Sequence, residues 1–408
     1  MAKITPPELL SPAGDLAMFK AAVDYGADAV YLSGEEYGMR ASAKNFSLEE
    51  MAEGLKYAHS HGVKVYVTCN TLPHNEEIKR LPQYLEQLNS LGVDAIIASD
   101  FGTINLIKRY APNVKLHISV QSGIVNYETA RAFYDMGASR IVVARELSLE
   151  EIKEIRDKTP KDLEIEAFVH GAVCVSFSAR CLLSSYLTGR DANRGDCAQP
   201  CRWSYSLVEQ KRPGEFYDIT ETENGTYILN ANDLCMVEHI PELIAAGIDS
   251  FKIEGRAKSH YYVAVTTNAY RAAIDSYISS RDNWKVPEWI QQELNKISHR
   301  EYSKGFYFGK PKNAQTYKSG GYIRDYQVGA TVEGYENGML VVKMKNKFSK
   351  GQEFDCLEPG SKPFVFTVKK MYDETGEEIE SAPHPEMIVK IPYPVPIKPG
   401  SMLRMKIN

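Results

Sequence analysis

The chain has 408 residues, 43% of them apolar and 25% charged, with a formal net charge of −5. That composition excludes a disordered chain and leaves ample material for a core; the slightly acidic balance excludes a global positive field that would draw in nucleic acid. No apolar run approaches the roughly 18 residues that span a bilayer, and the first residues lack the charged-then-apolar build of a secretory leader, so a cytoplasmic protein without membrane contact or disulfides is expected.

Eight short apolar, β-branched runs follow in chain order, at 8–11, 29–32, 64–68, 95–98, 115–120, 140–144, 163–169 and 250–253. Between them, segments such as 16–25, 48–59, 78–91 and 130–136 carry apolar residues at helical spacing. Gly-containing turns, for example Tyr25-Gly26-Ala27-Asp28, close several helices before the next strand. Alternating strand and helix predicts an α/β fold with a parallel sheet. Eight such units favour a closed (β/α)8 TIM-like barrel over an open sheet, and no Gly-x-Gly-x-x-Gly follows the first strand.

The gap between strands seven and eight is about 80 residues, a length that usually marks a functional insertion. A last barrel helix is expected over 261–279. From about residue 331 the pattern changes to short alternating strands with turns such as Glu336-Asn337-Gly338. The expected organisation is a barrel over 1–285 with a Cys-rich insertion at about 171–249, a basic aromatic connector over 286–330, and a small all-β, barrel-like domain over 331–408.

Five of the seven cysteines fall between Cys174 and Cys235, where even spreading would place about one. Thiolates gathered this way can hold zinc or an iron–sulfur cluster; the bland alternative is small buried apolar residues. The spacing Cys174-x6-Cys181-x15-Cys197-x3-Cys201 lacks the Cys-x2-Cys knuckles usual for zinc. Wide, uneven spacing suits a cluster, whose shape accepts ligands from several loops, and Arg180, Arg194 and Arg202 would offset its charge. Cys69 and Cys356 are isolated and read as core.

Polar residues at predicted strand C-termini are candidates for barrel chemistry: Asn70, Gln121, Arg145, Glu146, His170, Lys252, Glu254 and Arg256, with Arg40 after the second strand. Glu254 needs a partner, which Arg256 or Arg145 could supply, and either arginine could grip a ligand carboxylate. His170 is a candidate proton carrier. The alternative for each is a structural ion pair at the barrel rim. Segment 296–324 carries seven basic residues, among them Arg300, Lys304, Lys310 and Lys312, against one acid, Glu301, with interleaved aromatics. Such a stretch can neutralise phosphates and stack unpaired bases, or pack two domains together. The sequence contains no Gly-x-Ser-x-Gly elbow, His-Glu-x-x-His or P-loop.

The chain resembles the peptidase U-32 family of collagenase-like proteases. The likeness runs from Leu9-Leu10-Ser11-Pro12-Ala13-Gly14 through Arg145-Glu146-Leu147-Ser148 to Lys252-Ile253-Glu254-Gly255-Arg256. The family signature reads here Glu166-Ala167-Phe168-Val169-His170-Gly171-Ala172-Val173-Cys174 and on to Cys181, with Ala179 where the family has Gly. Within the family, Arg194-Gly195-Asp196-Cys197 through Cys201-Arg202-Trp203, and His299-Arg300-Glu301-Tyr302, are similar to the tRNA 5-hydroxyuridine hydroxylation proteins. That resemblance implies oxygen-independent, prephenate-dependent hydroxylation of the wobble uridine. It implies an iron–sulfur cluster, of 4Fe–4S type, on Cys174, Cys181, Cys197 and Cys201, with Cys235 in reserve. The expected roles follow. Glu254, Arg256, His170 and Arg145 would serve catalysis. Arg40, Asn70, Gln121, Lys252, Arg300, Lys304, Lys310 and Lys312 would bind substrate. The partners would be the tRNA anticodon arm, a small dicarboxylate co-substrate and a homologous subunit. A U-32-type peptidase and a non-catalytic iron–sulfur subunit are the competing functions.

Overall fold

The computed structural model describes residues 5–39, 44–174, 176–177, 180–203, 231–309 and 322–407. The strands in chain order are β1 (Glu8–Pro12), β2 (Ala29–Ser33), β3 (Lys64–Cys69), β4 (Ala95–Ala98), β5 (Lys115–Ile118), β6 (Ala138–Val142), β7 (Glu164–Gly171), β8 (Asp233–Cys235) and β9 (Ser250–Ile253). Strands β1 to β7 pair in sequence, all parallel, and β9 pairs in parallel with both β7 and β1. That last pair of ladders closes the ring, so the eight strands form the expected (β/α)8 barrel. Each expected strand forms, with shifts of a few residues at its ends.

The outer helices start where local capping chemistry places them. They are α1 (Leu16–Asp24), α2 (Leu48–Ser60), α3 (Asn75–Leu91), α4 (Phe101–Tyr110), α5 (Tyr127–Asp135) and α6 (Leu149–Lys158). Asp15, Asp100 and Asn126 accept from backbone N–H groups of the first turns of α1, α4 and α5. Ser47 with Glu50 and Ser148 with Glu151 form reciprocal capping boxes. The main core lies between these helices and the outer face of the barrel.

The insertion carries α7 (Leu183–Thr188) and β8, which pairs antiparallel with the end of β7. Next comes α8 (Ile240–Ala245), which leads directly into β9. Then follow α9 (His260–Ser280), α10 (Glu288–Leu294) and β10 (Tyr302–Ser303), which adds to β8. Residues 302–303 of the connector are thus part of the barrel's own sheet.

The C-terminal domain is antiparallel and starts at residue 326, five positions before the expected boundary. Its strands are β11 (Tyr326–Glu336), β12 (Met339–Met344), β13 (Phe348–Ser349), β14 (Glu353–Leu357), β15 (Phe364–Thr367), β16 (Ser381–Ala382), β17 (Ile388–Pro392) and β18 (Met402–Lys406). Six form one sheet in the order β15-β14-β18-β11-β12-β17, and β13 pairs with β16. Fully buried Arg404 docks this domain on the barrel, bonding Glu293 of α10 and Asp355 of β14. Lys296 joins the same two carboxylates.

The barrel lumen holds charge. Arg140 on β6, 2% exposed, bonds Glu8 of β1 at 2.6 Å, Glu164 at 2.6 Å and Glu166 of β7 at 3.1 Å. Strands β1 and β6 are not neighbours, so Arg140 and Glu8 meet across the interior. Tyr66 of β3 donates to Glu8 at 2.8 Å. Burial pushes the Glu8 carboxyl up, but Arg140, with help from Lys64 and Tyr66, overrides it and holds the group down to about 2.

Candidate active site at the barrel mouth

The C-terminal ends of the barrel strands enclose an inner cavity of about 60 Å3. Of the sequence candidates, Asn70, Gln121, Arg145, Lys252, Glu254 and Arg256 all line it. Strand alternation explains why: Lys252 and Glu254 are two residues apart on β9 and its continuation, so both face inward. Arg145 lies flat on Phe168, 3.7 Å from the ring centroid, and donates to the Ala172 carbonyl at 2.8 Å. Its other nitrogen is 4.0 Å from Glu254. Arg256, 4% exposed, donates to Asn45 at 2.6 Å and Thr68 at 3.3 Å. Asn70 donates to Ser119 at 3.4 Å, and Ser119 to Gln121 at 3.2 Å. Oδ1 of Asn70 is buried with no hydrogen-bond partner. Three cations therefore line one space together with one carboxylate, Glu254.

A second cavity, of about 400 Å3, opens directly outside the first and shares Met39, Arg145 and Glu254 with it. Cys174, Cys181, Cys197 and Cys201 all line it, as do Arg202, Lys258 and Tyr322. Two glycines bring these parts together. Gly171, at φ +106°, ends β7 so tightly against the chain after β9 that a Cβ there would meet the Glu254 carbonyl oxygen at 2.3 Å. Gly195, at φ +94°, lets the insertion approach Gly38, whose oxygen would stand 2.7 Å from an added Cβ. Asn193 pins the Cys181 turn by accepting from its N–H at 3.2 Å and donating to its carbonyl at 3.1 Å. Arg180 donates to the Gln121 carbonyl at 2.6 Å, and Arg194 bonds Glu77 of α3 at 2.6 Å.

Four thiols lining one cavity are the donor type that an iron–sulfur cluster takes. Among the described residues, no group of three or more His, Cys, Asp or Glu side chains is placed to hold a metal ion. Backbone N–H groups of Leu183 and Gln199 aim at the sulfurs of Cys181 and Cys197, at 3.3 and 3.4 Å, the kind of contact that stabilises cluster thiolates. Burial pushes the Cys201 thiol up; Arg202 pulls it down, while Cys174, Cys197 and Cys181 push it further up.

Several expected site residues lie elsewhere. His170 does not reach either cavity. The β7–β9 pairing slips between Phe168 and His170, and this bulge turns the imidazole outward, among Tyr262, Tyr270 and Tyr302. It is 1% exposed, and burial holds its pKa down to about 3, so it is no proton carrier for the cavities. Cys235 pairs across from His170 on β8 and lines neither cavity; burial pushes its thiol up to about 11. Arg300 is 4% exposed and bound to Asp233 through Nε at 3.0 Å and Nη2 at 2.7 Å. It is a structural ion pair, not a phosphate contact. Glu146 lines neither cavity. Lys304 is exposed beside Phe308. Arg40, Lys310 and Lys312 lie outside the described residues. Cys69 and Cys356 are buried.

Sequence reasoning missed Tyr31, Thr68, Ser119 and Lys258 as lining residues, and Asn45 as a partner of Arg256. Thr68 and Ser119 sit at strand ends, each two positions before Asn70 and Gln121, so the same rule would have reached them. On the insertion Phe177, Leu182, Tyr186 and Trp203 are exposed, Tyr186 by 82%.

A (β/α)8 barrel whose mouth joins a cation-lined cavity to a thiol-lined one defines a barrel of the enzyme type, with chemistry at the strand C-termini. The chain belongs to peptidase family U32: the family model matches residues 14–317, and the model of the U32 C-terminal domain matches 324–404. It is 40% identical to tRNA hydroxylation protein P1 of Bacillus subtilis, over 98% of this chain and 94% of that one. It is 36% identical to tRNA hydroxylation protein P of Escherichia coli, over 98% and 96%. To the 23S rRNA 5-hydroxycytidine synthase of Escherichia coli it is 41% identical, over 67% of this chain and 40% of that one. Among solved structures, the C-terminal domain of a Geobacillus thermoleovorans U32 peptidase aligns at 32% identity over 19% of this chain and 98% of its own, with a TM-score of 0.19. Another U32 peptidase aligns at 15% identity over 62% and 94%, with a TM-score of 0.41. Among the described residues, no helix is long and apolar enough to cross a membrane.

Proposed function

We propose that this protein is an RNA hydroxylase that installs a 5-hydroxyl on the wobble uridine of tRNA. The observation that carries the reading is the junction of the two cavities: four thiols face one, three cations face the other, and Arg145 and Glu254 belong to both. Full-length relatives named as tRNA hydroxylation proteins support it, and the rRNA 5-hydroxycytidine synthase supports hydroxylation at position 5 of a pyrimidine as the common chemistry.

In this reading Cys174, Cys181, Cys197 and Cys201 hold an iron–sulfur cluster of 4Fe–4S type. When bound, such a group supplies electron transfer or Lewis acidity at the outer cavity. Arg145 and Arg256 hold the carboxylates of prephenate, each guanidinium presenting paired donors to a carboxylate. Asn45 and Thr68 fix Arg256, and Phe168 fixes Arg145, so little side-chain entropy is lost on binding. Glu254, 14% exposed and shared by both cavities, is placed to accept a proton from one side and release it to the other. Exposed Tyr186 and Trp203 offer faces for unpaired bases, and exposed Lys304 offers a phosphate contact.

The peptidase reading in the family name has weaker support, since no histidine lines either cavity. The test is oxygen-free incubation of purified protein with unmodified tRNA, with and without prephenate, followed by nucleoside mass spectrometry. The account expects 5-hydroxyuridine only with prephenate. Unchanged uridine with cluster-loaded protein and prephenate would overturn it.

A further inference from the structure

Lys252 occupies an unusual position for a lysine. It sits on β9, 4% exposed, in the wall of the inner cavity. Its Nζ donates to Glu166 at 2.6 Å and stands 4.4 Å from the Tyr31 ring and 5.4 Å from that of Phe168. Glu166 is fully buried, and its other oxygen takes Arg140. That carboxylate cannot rotate away, so the amine is held in one orientation between two rings that exclude water. Arg145, Arg256 and Asn70 line the same small space. A fixed primary amine beside guanidinium groups suits a molecule carrying a carboxylate next to a carbonyl carbon.

We propose that Lys252 Nζ forms a Schiff base with the carbonyl carbon of a small 2-oxo acid. The proposal deepens the reading above, resting on its anion seat. In the step, the ammonium passes a proton to Glu166, and the freed amine attacks the carbonyl carbon. The new C–N bond replaces the C–O bond, and the oxygen leaves as water with protons from Glu166 and the nitrogen. The net change is ammonium plus ketone to iminium plus water; nothing is oxidised or reduced. The iminium keeps its positive charge beside Glu166, so the buried ion pair survives and the carboxylate is never left uncompensated.

The experiment is reductive trapping: full-length protein with pyruvate and sodium cyanoborohydride, mapped by peptide mass spectrometry. The expected product is a 1-carboxyethyl group on Lys252, formed ahead of Lys258 in the outer cavity and exposed Lys44. Lactate, which has the carboxylate but no keto group, should slow it. K252R should lose the label at this site; should K252R not fold, the lysine-by-lysine map of the parent protein with and without lactate decides. No adduct at Lys252, or one no greater than on exposed lysines and indifferent to lactate, overturns the proposal. Trapping needs neither RNA nor metal. A Lys252 adduct without RNA hydroxylation therefore counts against the function alone, and hydroxylation without an adduct counts against the Schiff base alone.

Discussion

Arg140 is the residue whose removal should be felt most clearly. Replacing it with Met keeps much of its length but leaves Glu8 and fully buried Glu166 without the cation that spans the lumen. Removing one partner of a buried ion pair typically costs about 3–5 kcal/mol. The pH dependence is a sharper signature. Glu8 has its pKa held from 4.5 down to about 2, an interval worth about 3 kcal/mol. A carboxyl held low in the folded state stabilises the protein fully above the unfolded value and loses that contribution as pH falls through the folded value. In the parent, stability should therefore drop between about pH 4.5 and pH 2. In R140M stability should already be low at pH 7, and much of that acid-dependent drop should vanish. Urea unfolding followed by circular dichroism between about pH 7 and pH 2 measures both. A variant within about 1 kcal/mol of the parent at pH 7, or with an unchanged acid profile, would refute the lumen account.

Arg256→Ala should weaken the carboxylate co-substrate by roughly 10- to 100-fold, the worth of a charge-assisted pair, read as a rise in its KM with little loss of fold. Glu293→Gln removes a buried partner of Arg404 at the domain junction and should destabilise the protein by about 3 kcal/mol, read by thermal unfolding. Lys304→Ala should lower RNA affinity nearly uniformly across sequences and reduce the salt slope by about one, read by binding titrations at several salt concentrations. His170→Gln should lower stability while leaving the co-substrate KM of the folded fraction unchanged, since the imidazole faces α9 and not the cavities.

The barrel was legible because parallel strands covered on both faces become unbroken apolar runs, as in β2 and β4. The inner cavity was legible because strand ends carry the chemistry of this fold. His170 misled the same rule because a bulge after Phe168 reverses the alternation, and no single residue announces that slip. Arg300 and Lys296 misled the charge count because their partners lie outside the counted window: Asp233 is remote in sequence, Asp355 is on the other domain, and Glu293 sits just before the window on α10. Counting cations in a window says nothing about which are already neutralised. Of the five clustered cysteines, Cys235 separates from the rest because it sits on β8, while the other four sit on the turns of the insertion.

The central claim is that Cys174, Cys181, Cys197 and Cys201 together hold iron and sulfide at the barrel mouth. Its most direct test is oxygen-free purification with iron, acid-labile sulfide and free thiols quantified, alongside the visible spectrum. The account predicts a coloured protein that loses iron in Cys174→Ser and Cys201→Ser but keeps it in Cys235→Ser. Colourless, iron-free protein with every thiol open to titration would contradict it.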